Sequence, residues 1–172
     1  MRSVILIGAC VALAVSMVHG EDQAAGPAAI MPMTPENVTA LADRVKKSVV
    51  VVTFSDRDGK TQGLGSGFVI REDGLIATNL HVLGEGRPIS VRTLDGKVFP
   101  VESIYAHEKS QDLAILSIKA SGLPAMELGD SDQAVQGQPV VAVGNPLGLE
   151  HSVVTGVISG VRKDIDGMSM IQ

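Results

Sequence analysis

The most informative stretch of the sequence is Ala77-Thr78-Asn79-Leu80-His81-Val82, in which an apolar segment ends just before a histidine. Further along, Asp112 comes just before another apolar segment. Residues at the ends of strands lie at the rim of a sheet or barrel, where side chains from different strands can meet. An imidazole there can take a proton from a hydroxyl nucleophile, and a carboxylate can hold that imidazole in the required tautomer. Spacing alone also fits an ordinary loop histidine and a turn aspartate.

The segments on both sides of this stretch have the character of short strands. Asp73-Gly74 separates apolar runs at 67–70 and 75–78, and Asp95-Gly96 separates runs at 89–93 and 98–105. An Asp-Gly pair between two apolar runs is a strong hairpin signal. Many short strands with turns between them predict an all-β barrel or sandwich. Further strands are predicted at 49–54, 113–118, 139–143 and 152–161.

One short helix is predicted before the first strand. Thr34 is a suitable N-cap, Pro35 fits the first helical position, and Glu36 places an acid in the first turn. A helix over 35–47 would place one apolar face toward the rest of the protein. That face consists of Val38, Leu41 and Val45.

Composition excludes several classes of protein. The chain has 172 residues, of which 45% are hydrophobic and 19% charged, as in a globular domain. Aromatic residues make up only 2% and the net charge is −5, which argues against a nucleic-acid partner. The core must therefore be built from Val, Ile, Leu and Ala, and these residues favour strands.

The first twenty residues have the pattern of a secretory signal peptide. A basic start at Arg2 precedes an apolar run at 4–18, and Val18-His19-Gly20 offers small residues at a cleavage position. The run is short for a membrane-spanning helix, although an uncleaved anchor and lipidation of Cys10 are alternatives. Residues 21–34 are expected to form a flexible leader. The mature chain would be periplasmic or secreted, with no cysteine left to form a disulfide.

No cofactor and no metal site is predicted. The glycines in 63–67 could suggest a phosphate-binding loop, but Phe68 stands where a dinucleotide fingerprint needs glycine. The acidic stretches 56–59 and 164–167 lack the ligand series of a calcium loop. Two isolated histidines have no neighbour at metal-ligand spacing. They are His107 and His151.

Six segments carry a family resemblance. They are Gly65-Ser66-Gly67-Phe68-Val69-Ile70, the run 73–82, Asp112-Leu113-Ala114-Ile115-Leu116, Leu128-Gly129-Asp130-Ser131, Gly144-Asn145-Pro146-Leu147-Gly148-Leu149 and Val154-Thr155-Gly156-Val157-Ile158-Ser159. In content and order they resemble the HtrA/Do-like trypsin-fold serine proteases, and the resemblance covers residues 35–172. It implies a trypsin-like double β-barrel. The first barrel, at about 48–120, would be complete and the second incomplete.

The resemblance also implies functional residues. His81 would be the general base and acid, and Asp112 its orienting partner. The serine nucleophile of this family lies in an Asn-Pro-Gly-Asn-Ser-Gly-Gly-Pro turn, and the sequence ends before such a turn. Ser66 and Ser169 lack that glycine-rich setting and are not expected to replace it. The PDZ modules common in the family are also absent from this sequence.

The expected function follows from these points. The chain would be a truncated piece of an exported serine endopeptidase of the protein quality-control type, inactive by itself. Its partners would be unfolded or misfolded polypeptides, and the full-length parent could be a homotrimer. Two alternatives stay open: a non-catalytic, chaperone-like module that binds polypeptides, and a hydrolase with an unusual nucleophile.

Overall fold

The computed structural model describes residues 11–14, 33–55, 58, 61–84, 88–144, 152–163 and 169–172. Its secondary structure consists mainly of strands, with one α-helix and two short 3-10 helices at Leu80–Leu83 and Ser131–Gln133. In chain order the elements are β1 (Val11–Ala14), α1 (Pro35–Lys46), β2 (Val49–Ser55), β3 (Thr61–Arg71), β4 (Leu75–Asn79), β5 (Ile89–Arg92), β6 (Val98–Glu108), β7 (Leu113–Ile118), β8 (Pro139–Gly144), β9 (Ser152–Val157), β10 (Val161–Lys163) and β11 (Ser169–Ile171).

Six of these strands form a closed antiparallel barrel in the order β2-β3-β4-β7-β6-β5. The barrel closes because β2 pairs with β3 along one edge and with β5 along the other. Closure leaves no unpaired strand edge in this unit. The prediction of a complete first barrel is confirmed.

The barrel core is aliphatic, as the low aromatic content requires. Strand β7, predicted at 113–118, alternates between its two faces, since every second side chain is buried and the others are only partly covered. The inward side chains of β7 are Ala114, Leu116 and Ile118, and they pack with buried valines and isoleucines of the other strands. Phe54 and Phe99 are only partly buried at the border of this cluster.

Helix α1 begins as predicted and ends one residue earlier than predicted. The Thr34 hydroxyl accepts a hydrogen bond from the Asn37 N–H at 3.3 Å, which caps the first turn. The predicted apolar face of α1 packs toward β8. Val45 of the helix belongs to one buried cluster with Val141 and Val143 of that strand. The helix therefore connects the barrel to the strands that follow it.

The strands outside the barrel form two small sheets among the described residues. One has the order β1-β8-β9, and the other consists of β10 and β11. The single strand predicted at 152–161 is wrong in extent, because the structure breaks it between Val157 and Val161. The buried Ile158 exchanges hydrogen bonds with Gln138 and Gly137, while Ser159 turns to the carbonyl of Gln172. The Ile158 bonds continue the pairing with the segment just before β8, and the strand ends where Ser159 bonds to Gln172 instead.

Strand β1 lies inside the predicted signal peptide. It pairs antiparallel with β8, in register from Val11 opposite Gly144 to Ala14 opposite Val141. The rest of residues 1–32 lies outside the described part of the chain, and so does Cys10, so the signal peptide stays a prediction. Within the described residues, no helix is both long and apolar enough to cross a membrane.

Candidate active site

The end of β4 places His81 at the rim of the barrel. Strand β4 is completely buried through Asn79, and the chain then turns into the 3-10 helix Leu80–Leu83. Asn79 pairs with Leu113 of β7, so the residues just after β4 face the residue just before β7. The leucine N–H at position 80 donates to the carbonyl of Asp112 at 2.9 Å. The two strand ends predicted to meet therefore do meet.

Asp112 has an unusual backbone conformation. Its φ is +50°, and it is the one residue other than glycine with positive φ among the described residues. Aspartate tolerates this left-handed region better than most residues, although it still carries some strain. Its N–H donates to the Lys109 carbonyl at 3.2 Å, which closes the turn before β7.

His81 and Asp112 are joined by two hydrogen bonds. The imidazole Nδ1 lies 2.5 Å from Oδ2 of Asp112, and the His81 backbone N–H donates to Oδ1 at 2.9 Å. A carboxylate can only accept, so Nδ1 must carry the proton. In a neutral imidazole this leaves Nε2 as the unprotonated nitrogen, able to act as a base. The side chains are 49% and 37% exposed, so the site is open to solvent.

The hydrogen bonds keep the Asp112 carboxylate ionised. Partial burial acts to raise the pKa of Asp112. Bonds from the His81 ring, the His81 N–H and the Asn79 amide outweigh burial and lower this pKa below its ordinary value. The carboxylate is therefore charged at neutral pH.

Asn79 was not singled out from the sequence. Its side chain is buried and its Nδ2 donates to both Oδ2 and the carbonyl oxygen of Asp112, at 3.1 and 3.2 Å. The one available signal was its position, since it is an amide at the end of an otherwise apolar or hydroxyl-bearing strand.

The other residues considered from sequence do not join this pair. Ser66 is buried within β3, where its carbonyl accepts a bond from the Thr78 hydroxyl at 2.7 Å. Ser169 begins β11, which pairs with β10. His107 is exposed on β6. Outside the described residues lie His151, the run 145–149, the stretch 164–167, and all but Asp58 of the stretch 56–59.

Residues 65–172, which include both members of the pair, match the family described as the trypsin-like peptidase domain. The chain belongs to the trypsin-like peptidase family, in its HtrA/DegP group. This peptidase domain is 43% identical over 104 residues to a probable periplasmic serine endoprotease, DegP-like, of Halomonas elongata. It is 45% identical over 106 residues to the mitochondrial serine protease HTRA2 of Drosophila pseudoobscura pseudoobscura. Each alignment covers 60% of this chain, and 22% and 24% of the respective relatives.

A solved structure has the same fold. The HtrA-type protease AlgW, in a serine-to-alanine variant with a tripeptide, superposes with a TM-score of 0.70 at 29% sequence identity. The superposition covers 78% of this chain and 45% of that one. The alignments with the two curated relatives, from Halomonas elongata and Drosophila pseudoobscura pseudoobscura, span less than a quarter of the length of each relative.

Proposed function

We propose that this chain carries the general base and the orienting carboxylate of an exported serine endopeptidase. The observation that carries the proposal is the bond between His81 Nδ1 and Asp112 Oδ2. It fixes the tautomer in which Nε2 can accept a proton, at an imidazole that is half exposed to solvent. Membership of the trypsin-like peptidase family supports the same assignment.

The proposed chemistry is acyl transfer. Nε2 of His81 removes the proton of a serine hydroxyl as that oxygen attacks the scissile carbonyl. The imidazolium then gives the proton to the leaving amine, and water repeats the sequence to release the acyl group. Asp112 stays ionised throughout and stabilises the imidazolium. Its lowered pKa suits this role.

We propose a serine in a serine-glycine-glycine turn as the nucleophile, a turn that these 172 residues do not contain. The 172-residue chain alone should then hydrolyse peptide bonds at a background rate, since losing the nucleophile in subtilisin costs on the order of 10⁶ in turnover. The test uses a fluorophosphonate probe on the complete product of the gene. Labelling should occur, and His81→Ala should abolish it, whereas His107→Ala, at an exposed histidine on β6, should not. Labelling that survives His81→Ala would refute the assignment.

Export and substrate class are part of the proposal. The signal-peptide pattern at residues 1–20 and the periplasmic names of several relatives support export. Mass spectrometry of the secreted or periplasmic protein should find Glu21 at the N-terminus. We propose unfolded or misfolded polypeptides as substrates and a homotrimer as the assembly of the full-length protein. Faster cleavage of an unfolded than of a folded client would support the substrate class. Light scattering of the full-length protein would measure whether it is a trimer.

One observation favours a second function, a chaperone-like module that binds polypeptides without cleaving them. On β9, Val154 and Val157 are 62% and 60% exposed, on opposite faces of the strand, so each face offers an apolar contact to a polypeptide. This reading requires the 172-residue chain to be soluble and monodisperse and to suppress aggregation of an unfolded client. Replacing both valines with threonine should remove that effect. Insoluble protein, or no effect on the client, would count against the second function.

A further inference from the structure

Asn79 occupies a buried position from which its side chain contacts Asp112. Its side chain lies at the last position of β4 and is 2% exposed. Nδ2 lies 3.1 Å from Oδ2 and 3.2 Å from the carbonyl oxygen of Asp112. Both of these atoms can only accept hydrogen bonds. The NH₂ group, and not the amide oxygen, must therefore face Asp112.

The first of these bonds acts on the Asp112 carboxylate. Oδ1 accepts from the His81 backbone N–H, while Oδ2 accepts from both the imidazole Nδ1 and the Asn79 amide. The terminal torsion of an aspartate side chain is otherwise broad. Donors on both oxygens hold the carboxylate in one rotation, with Oδ2 directed at the imidazole. The buried amide thus anchors the partly exposed His81–Asp112 pair.

The second bond acts on the Asp112 backbone. Its carbonyl oxygen accepts from the Leu80 N–H at 2.9 Å as well as from Asn79. These two bonds hold the carbonyl of a residue whose φ is +50°. A non-glycine residue keeps such a conformation only where its surroundings determine it. Asn79 therefore determines both where the Asp112 backbone lies and which way its carboxylate faces.

We propose that Asn79 is a positioning residue for the His81–Asp112 pair, fixing the carboxylate and, through it, the Nδ1–H tautomer of the imidazole. The inference rests on the proposed function. It assigns a specific role to a residue that touches neither the substrate nor the reacting atoms. The effect is transmitted entirely through Asp112.

The test is proton NMR of the full chain, which reads the pair without requiring any activity. A proton held between Nδ1 and a carboxylate gives a low-field resonance, and Asp112→Asn should abolish it. Asn79→Ala and the nearly isosteric Asn79→Asp should weaken or abolish it too, because each removes both amide bonds. Thr78→Val is the matched control. It removes the buried bond from Thr78 Oγ1 to the Ser66 carbonyl one residue away, so it should lower stability and leave the resonance unchanged.

A second measurement on the unaltered chain covers the case in which the Asn79 variants fail to fold. The two side-chain amide protons of Asn79 should shift with pH along the same titration curve as the Asp112 carboxyl carbon. If the chemical shifts of these amide protons do not change as Asp112 titrates, the proposal is overturned. So would an unchanged low-field resonance in folded Asn79→Ala, even though the His81–Asp112 pair would still stand. A low-field resonance missing from the unaltered chain would instead defeat the pair itself, and the proposed function with it.

Discussion

At the scale of single residues, the site is a small set of donors arranged around one carboxylate. His81 contributes its ring and its backbone N–H, and Asn79 contributes its amide. The sequence singled out the two ionisable members as residues at strand ends, and the family resemblance of the surrounding segments gave them their expected roles. It could not predict the left-handed backbone of Asp112. That conformation is set by bonds from residues more than thirty positions earlier.

Replacing His81 with alanine should raise the pKa of Asp112 toward its ordinary value. The substitution removes the ring bond, the largest of the contributions that lower this pKa, and retains the backbone N–H. Carboxyl ¹³C NMR measures the change, and His107→Ala should have no effect. A pKa that stays where it was would mean that the imidazole does not stabilise the carboxylate.

The same pKa has a consequence for stability against acid. The unfolded pKa of an aspartate is about 3.9, and the folded pKa of Asp112 lies below its ordinary value. Ionised Asp112 therefore stabilises the fold above the unfolded pKa, and this stabilisation is lost as the pH falls through the folded pKa. Urea unfolding at a series of pH values should show a shallower acid loss in Asp112→Asn than in the unaltered chain. Parallel curves would contradict this expectation.

At the scale of elements, hairpins and helix ends were the most predictable features. Asp73-Gly74 and Asp95-Gly96 both form turns, and both glycines have positive φ, +107° and +82°. Such turns can be predicted from neighbouring residues alone, since few residues other than glycine adopt these backbone angles. The predicted strand at 152–161 is wrong in extent because Ser159 and Gly160 bond to Gln172, a residue outside the predicted strand.

The two turn glycines should respond differently to alanine. In Gly96→Ala the new Cβ meets nothing within 4 Å, so only the left-handed backbone is penalised, by about 1 kcal/mol. In Gly74→Ala the Cβ would lie 2.2 Å from the carbonyl oxygen of Ile118. That backbone atom cannot move aside cheaply, so the loss of stability should exceed about 3 kcal/mol. Chemical denaturation measures both, and equal losses would show that close approach does not matter at Gly74.

At the scale of the whole molecule, the structure divides into a closed barrel and smaller sheets. No strand of the barrel pairs with β1, which pairs with β8. The barrel core is also distinct from the cluster formed by Val45, Val49, Val141 and Val143. Removal of the N-terminal segment should therefore affect the two units differently.

Deletion of residues 1–20 should increase amide exchange most in β8, the strand that pairs with β1, and much less in the barrel. Hydrogen exchange measured strand by strand separates these effects. Leu116→Ala provides the comparison, because this side chain is fully buried in the barrel, and its truncation should cost about 2–5 kcal/mol and raise exchange in all six strands. Faster exchange throughout the barrel of the deleted chain would show that β1 supports more than β8.

The sequence by itself determined most of the elements of this protein: the strand pattern, the helix cap and the Asp-Gly turns. These are properties of neighbouring residues, and neighbouring residues are what periodicity and turn chemistry report. The two site residues were predicted from their sequence context and its family resemblance. Only the tertiary structure decided that Asn79 contacts Asp112, that Asp112 is left-handed, and that the strand after Val157 breaks. Each of these depends on a hydrogen bond between distant segments, and such a bond exists only after the chain has folded.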